Sequence, residues 1–222
     1  MKKYAVIVAA GSGLRMGSSV PKQFLLLHGK PVLWYTITAF LRTFDDIEVI
    51  LVLPEKYIET GEEISKTTVA PDRVRVIKGG ETRFHSVKNG LAEINQPSIV
   101  FVHDGVRCLV TSDLIQRCYD VALEKGNAVP AVSSVDSLRV EKKDGNEIVD
   151  RDKIKIIQTP QTFRSDILKA AFLQQYQEIF TDEASVVENT GVKINLVEGD
   201  ETNIKITRPL DMIIAEKLLQ DN

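Results

Sequence analysis

The chain has 222 residues, 43% of them hydrophobic and 27% charged, with a formal net charge of −3. That length suits one domain, or one domain with an appendage, and the composition is that of an ordinary soluble globular protein. The slight acidic excess argues against a nucleic-acid binder, and no apolar run approaches the roughly 18 residues of a membrane span.

No signal-peptide core precedes the first predicted strand. Cys108 and Cys118 lack metal-ligand spacing, so two reduced thiols in a cytoplasmic protein are expected.

In chain order, apolar runs alternate with helical patterns, the mark of βαβ units and a mainly parallel sheet. Residues 3–8 read as a buried strand. Pro31 opens a helix whose Val32, Leu33, Ile37, Phe40 and Leu41 share a face. Strands follow at 47–53, 74–77, 98–102 and 128–132, separated by helices at 56–67, 83–94 and 112–125, the last capped by Ser112 or Asp113. Residues 135–153 alternate and are heavily charged around Asp144-Gly145, a hairpin signal. With too few apolar residues for a core of its own, this arm is expected to project and to pack on a second copy of the chain. Residues 154–157 return to the sheet. Helices are predicted at 165–177 and 182–190, the second with Thr181 as N-cap and Asp182-Glu183 in its first turn. Strands at 192–197 and 203–207 and a helix from Pro209 to about Leu219 complete the chain.

Ligands of open α/β sheets bind beyond the carboxyl ends of the strands, and the informative residues cluster there. Gly11 and Gly13 follow the first strand; such a loop lets backbone N–H groups approach phosphate oxygens closely. Arg15 and Lys22 add two cations. The stretch lacks the G-x-x-x-x-G-K-[ST] phosphate loop and the third glycine of the dinucleotide fingerprint. Gly79-Gly80-Glu81 follows the third strand, Asp104 and Arg107 the fourth, and Thr159-Pro160-Gln161 the strand after the arm. Joining a phosphate monoester to the α-phosphorus of a nucleoside triphosphate brings two anions together, so cations and positioning are what such a site must supply. Lys22, Arg15 and Lys205 suit the triphosphate, Arg107 and Arg151 a second phosphate, Thr159 and Thr181 a polyol or phosphate, and Asp104 a Mg²⁺ ion.

Residues 9–24 resemble the glycine-arginine-lysine signature of the sugar-phosphate nucleotidyltransferases. With Ala9–Met16 and Pro21-Lys22-Gln23 from that stretch, five further motifs, Gly79–Val87, His103–Arg107, Thr159–Gln161, Thr181–Ser185 and Asn203–Pro209, make nearly the whole chain similar to the 2-C-methyl-D-erythritol 4-phosphate cytidylyltransferase family. The resemblance implies a single Rossmann-like nucleotidyltransferase domain of α/β class with a projecting β-arm. It also implies CTP and 2-C-methyl-D-erythritol 4-phosphate as substrates, Mg²⁺ as cofactor and a homodimer with interlocking arms. Carried over, Arg15, Lys22 and Lys205 stabilise the reacting phosphates. Ala9, Ala10, Gly11, Gly13, Gly80, Glu81 and Ser86 hold the nucleotide. Asp104, Arg107, Thr159 and Thr181 hold the acceptor, with Ser137 and Arg151 reaching it from the partner's arm. The family's usual alanine and proline are replaced by Gly105 and Cys108, which is expected to loosen the loop carrying Arg107; Ser137 replaces a threonine and Val8 a proline. Alternatives are a ribitol 5-phosphate cytidylyltransferase, which the Thr181–Glu188 segment disfavours, a uridylyl- or guanylyltransferase, an NAD(P)-binding oxidoreductase, and a non-catalytic nucleotide-binding module.

Overall fold

The computed structural model describes residues 1–11 and 20–220. Strands β1 (Lys2–Val8), β4 (Ile47–Leu53), β5 (Val74–Lys78), β6 (Ser98–Asp104) and β7 (Asn127–Ser133) form the body of the sheet. A short antiparallel pair, β2 (Leu26–Leu27) with β3 (Lys30–Pro31), precedes helix α1 (Val32–Thr43). Helices α2 (Ile58–Lys66), α3 (Arg83–Ala92) and α4 (Ser112–Lys125) connect the central strands. After the arm strands β8 (Leu138–Lys142) and β9 (Gly145–Val149) come β10 (Lys155–Ile157), β11 (Gln161–Arg164), α5 (Ser165–Ala171), α6 (Glu183–Glu188), β12 (Leu196–Glu198) and α7 (Pro209–Gln220). The sheet order is β10-β7-β11-β6-β1-β4-β5, with β12 also paired to β7. β10 and β11 alone run against the rest of it, so the sheet is mainly parallel as expected.

Both faces of the sheet are covered, and the strands record this residue by residue. In β1, Ala5 and Ile7 pack into one buried cluster while Tyr4 and Val6 pack into the other. In β6, Ile99 and Phe101 join the first cluster, and Val100 and Val102 the second. Two-sided burial is why these strands read as unbroken apolar runs. Each such Val or Ile contributes about 1.5–3 kcal/mol by leaving water.

Several details depart from expectation. Thr111 rather than Ser112 or Asp113 caps α4, accepting from the Leu114 N–H. Asp182 rather than Thr181 caps α6, in a capping box with Ser185. Helix α5 stops at Ala171, and residues 203–207 form no ladder. Strand β11 was not anticipated. β10 and β11 both pair antiparallel with β7, but the register changes between Ile157↔Ala131 and Thr162↔Ala128. Two extra residues therefore bulge at Gln158–Pro160, where the Thr159-Pro160 bond is cis. In the arm, Lys142 pairs with Gly145, so the two-residue turn is Lys143-Asp144 and Gly145 begins β9 with φ at +132°. β8 and β9 pair with each other and not with the main sheet. Among the described residues no helix is long and apolar enough to cross a membrane.

Candidate active site

The carboxyl ends of β1, β5 and β6 open onto a cleft of about 700 Å³. Ala9, Ala10 and Gly11 form one wall, Gly80, Glu81 and Ser86 another, and Lys22, Asp104 and Lys205 the floor and rim. Sequence reasoning expected all nine in the site, and the fold brings them together. Gly13 and Arg15 lie outside the described residues.

The glycine wall is pinned from behind by Gln23, which is 1% exposed. Its Nε2 donates to the carbonyls of Ala9 at 2.8 Å and Gly11 at 3.3 Å. On the opposite wall the Ser86 hydroxyl accepts from the Gly80 N–H at 3.1 Å and donates to the Thr82 carbonyl at 3.0 Å. Thr82 caps α3. Ser86 is thus fully buried and holds the loop in shape. A Cβ on Gly80 would lie 2.4 Å from His85 Cβ, so only glycine fits there.

At the floor sits Asp104, 8% exposed. Lys205 Nζ lies 2.9 Å from Oδ2, Arg107 Nε 3.5 Å from Oδ2 and Arg83 Nε 3.5 Å from Oδ1. Burial alone would raise this carboxyl, but Arg83, Lys205 and Arg107 outweigh it and hold the group well below the usual carboxylate range. Asp104 is therefore ionised. Lys22 Nζ donates to the Ile206 carbonyl at 2.6 Å, which places it against the segment that carries Lys205. That segment is fixed to the loop that follows β6: Ile206 N–H donates to the Val106 carbonyl at 3.0 Å, and Arg107 Nη1 donates to the Asn203 carbonyl at 2.7 Å.

Behind Asp104 runs a closed chain of hydrogen bonds. The Asp104 N–H donates to Thr159 Oγ1 at 3.1 Å, Thr159 Oγ1 is 3.0 Å from His103 Nδ1, and His103 Nε2 is 3.2 Å from the Arg107 carbonyl. A carbonyl only accepts, so Nε2 carries the proton and Nδ1 accepts from the threonine hydroxyl. Burial lowers the His103 ring to about 3, which keeps it neutral. Thr159, 5% exposed, was expected to touch a substrate polyol. Here its hydroxyl is committed to Asp104 and His103.

Arg107 is buried behind Asp104 instead of lining the cleft. Burial lowers its guanidinium from the ordinary value, with Asp104 opposing. Residues 104–110 are buried throughout. A Cβ on Gly105 would lie 2.8 Å from Ala9 Cβ and 3.0 Å from Leu33 Cδ1. The loop is therefore tightly packed, contrary to the loosening expected from glycine. Thr181 is exposed, as are Ser137 and Arg151; Arg151 Nη1 donates to the Val135 carbonyl at the base of the arm. None of the three lines this chain's cleft.

Two residues were missed as site residues. Arg83 lines the cleft and Glu183 supports it: Arg83 Nη1 and Nη2 donate to Glu183 Oε1 and Oε2 at 2.5 and 2.9 Å. Both stand in motifs noted in the sequence, but their pairing across 100 positions has no local signal. Among the described residues no group of three or more His, Cys, Asp or Glu could hold a metal ion. The donor set suits Mg²⁺ only as an ion carried chiefly by substrate phosphates with Asp104 as the nearby carboxylate.

A doubly covered, mainly parallel sheet whose carboxyl end presents a glycine wall and anchored lysines defines a nucleotidyltransferase-type α/β protein. The comparisons narrow this further. A family model described as IspD, 2-C-methyl-D-erythritol 4-phosphate cytidylyltransferase, matches residues 4–221. The protein of that name from Bacteroides thetaiotaomicron is 47% identical over 219 residues, covering 99% of this chain and 100% of the relative. That of Porphyromonas gingivalis is 46% identical, covering 98% of each. The crystal structure of 4-diphosphocytidyl-2C-methyl-D-erythritol synthase from Anaerococcus prevotii aligns with a TM-score of 0.84 at 28% identity, over 99% of this chain and 96% of that one. The Thermus thermophilus cytidylyltransferase aligns at 0.78 with 30% identity, over 99% and 100%. The chain belongs to the 2-C-methyl-D-erythritol 4-phosphate cytidylyltransferase family.

Proposed function

We propose that the chain transfers CMP from CTP to 2-C-methyl-D-erythritol 4-phosphate, releasing pyrophosphate and 4-diphosphocytidyl-2-C-methyl-D-erythritol, a step of non-mevalonate isoprenoid synthesis. The observation that carries this reading is the buried, ionised Asp104 holding Lys205 beside Lys22 at the mouth of the glycine wall. An oxygen of the acceptor phosphate attacks the α-phosphorus, a new P–O bond forms, and the bond to the β-phosphate oxygen breaks as pyrophosphate leaves. The nucleophile is already an anion at neutral pH, so no general base is needed. The chain contributes charge and alignment: Lys22 and Lys205 meet the non-bridging oxygens, joined by Arg15, while the Gly80–Ser86 loop seats the base. Mg²⁺ bound through the triphosphate would neutralise further charge there.

The arm supports a homodimer. It exposes Val135, Val140 and Ile148, which a partner would cover, and it carries Ser137 and Arg151, which in such a dimer would serve the partner's acceptor site, while Thr181 serves this chain's own. The exposed Val135 and Ile148 are 75% and 76% accessible, a poor state for aliphatic side chains in water. A cytoplasmic location fits the two buried, unpaired cysteines. The test is pyrophosphate release with CTP and Mg²⁺, offering methylerythritol 4-phosphate and ribitol 5-phosphate separately. Release with the first alone is expected; release with ribitol 5-phosphate alone would keep the mechanism and overturn the acceptor.

A further inference from the structure

We infer that Glu183 and Arg83 form a positioning strut for Asp104 that sets the affinity of the cleft for the acceptor; the inference rests on the functional reading above. Glu183 is 1% exposed, opens α6 and does not line the cleft. Its carboxylate reaches the cleft through Arg83, which does line it. The guanidinium lays its two-nitrogen fork on Glu183 at 2.5 and 2.9 Å and turns Nε toward Asp104 Oδ1 at 3.5 Å. Bidentate contact fixes the plane of the guanidinium, which a lysine point charge would not do. With that plane fixed, Nε is fixed, and it faces one oxygen of Asp104. The other oxygen faces Lys205 and Arg107.

The far end of the strut is also secured. Asp182 accepts from the Ser185 N–H at 2.9 Å and from Gln161 Nε2 at 2.8 Å, while Gln161 Oε1 accepts from the Ala184 N–H at 2.8 Å. Gln161 opens β11, which pairs directly with β6. The start of α6 is thereby stapled to the strand beside Asp104. Charges alternate along the line from Glu183 through Arg83 and Asp104 to Lys205. A carboxylate this deeply buried is costly unless paired, so a neutral residue would pack more easily at 183 if packing were its only task. Burial raises the Glu183 carboxyl and Arg83 opposes that; the Arg83 guanidinium, despite its burial, is raised by its two carboxylate neighbours.

Glu183→Gln keeps the volume and one hydrogen bond but removes the charge. Arg83→Lys keeps the charge but removes the fork. KM for CTP and for methylerythritol 4-phosphate are measured separately in each variant. The strut predicts a rise of tenfold or more in the acceptor KM, with the CTP KM within threefold of wild type. A pair that serves only folding would reduce the active fraction and so Vmax, leaving both KM values in place. That result, or equal rises in both KM values, overturns the inference. If Glu183→Gln fails to fold, Arg83→Lys decides by the same criterion. Wild-type turnover in the same series tests the functional reading by itself, so a strut that fails leaves wild-type rates intact.

Discussion

Replacing His103 by asparagine should flatten the loss of stability that the wild-type protein shows on mild acidification. His103 is fully buried, and burial lowers its ring from the ordinary 6.5 to about 3. For a histidine whose folded value is depressed, the unfolded chain binds the proton first. Its contribution to stability is complete above the unfolded value and is lost as pH falls from about 6.5 toward about 3. At about 1.36 kcal/mol per unit, acidification from pH 7.5 to 5 crosses about 1.5 units of this window and removes about 2 kcal/mol. Against a total of about 5–15 kcal/mol that is readily measured. Urea denaturation at pH 7.5, 6.5, 5.5 and 5.0 gives the slope for each protein, and with an m-value of about 2–3 kcal/mol/M the wild-type midpoint should fall by about 0.7–1 M. His28 and His85 are common to both proteins and drop out of the difference. Asp104 has a depressed carboxyl, so its contribution is lost only below the ordinary carboxylate range; the raised Glu183 carboxyl contributes with the opposite sign, and both also drop out of the difference. Parallel wild-type and variant curves across this range would show that the buried ring is not held neutral by the fold, and the tautomer assigned through Thr159 and Arg107 would fall with it.

Three further perturbations address the cleft. Gly80→Ala puts a Cβ 2.4 Å from His85 Cβ, where ordinary contact begins at 3.4 Å; the loop must move by roughly 1 Å, and an overpacking cost of about 1–3 kcal/mol should raise the CTP KM about 5- to 150-fold, an unchanged KM refuting the seat assigned to that loop. Lys22→Ala and Lys205→Ala should each lower kcat by about 10²–10³, the scale of a lost oxyanion donor, whereas a non-catalytic binding module would show only weakened CTP binding by calorimetry. Gly105→Ala, which restores the residue usual in the family, should lower the melting temperature in thermal denaturation by several degrees because Ala9 and Leu33 leave no room for it; a higher melting temperature would mean that the loop is slack after all.

The central strands and the glycine turns were readable because their signals are local. β1, β4 and β6 are mostly apolar runs, closed by Ala9-Ala10-Gly11, by Pro54 and by His103-Asp104 respectively. Strand β11 escaped because Gln161 and Thr162 are polar yet fully buried, placed by pairing with β6 and β7 and not by hydrophobicity. Residues 203–207 erred the other way. Their alternation is real, with Ile204 and Ile206 packed on α7 and Lys205 turned to the cleft, but only one N–H of the stretch, that of Ile206, bonds toward β6, to Val106. The period-two pattern there serves to deliver a lysine, with no ladder required. The site residues near strand ends were legible for the same local reason. The grouping of Arg83, Arg107 and Lys205 around Asp104, and the burial of Thr159 behind it, depend on contacts between distant positions that no window of sequence contains.

A buried carboxylate in a cleft meant for two phosphates looks misplaced, since Asp104 repels both. Its value lies in what it holds. A free lysine carries about 2 kcal/mol of rotamer entropy, which a phosphate would have to overcome on binding, and an unanchored cation would meet that phosphate in several poses. Asp104 fixes Lys205 at 2.9 Å, and the Ile206 carbonyl receives Lys22 at 2.6 Å. The ordering cost is met when the chain folds. On the function proposed above, cations set in place in this way would meet the charge that develops in the transition state, the condition for electrostatic stabilisation to favour that state over the ground state. Among the described residues the ion pairs of the cluster join Arg83, Arg107 and Lys205 to Asp104 and Glu183, with Asp182 a further carboxylate near Arg83. The repulsion from Asp104 is thus compensated locally, and its carboxylate oxygens stay at the cleft floor, where hydroxyls of a polyol phosphate could donate to them. One residue can in this way order the phosphate-binding cations and read the acceptor, which is why its own position is worth a buried glutamate two residues deep in the scaffold.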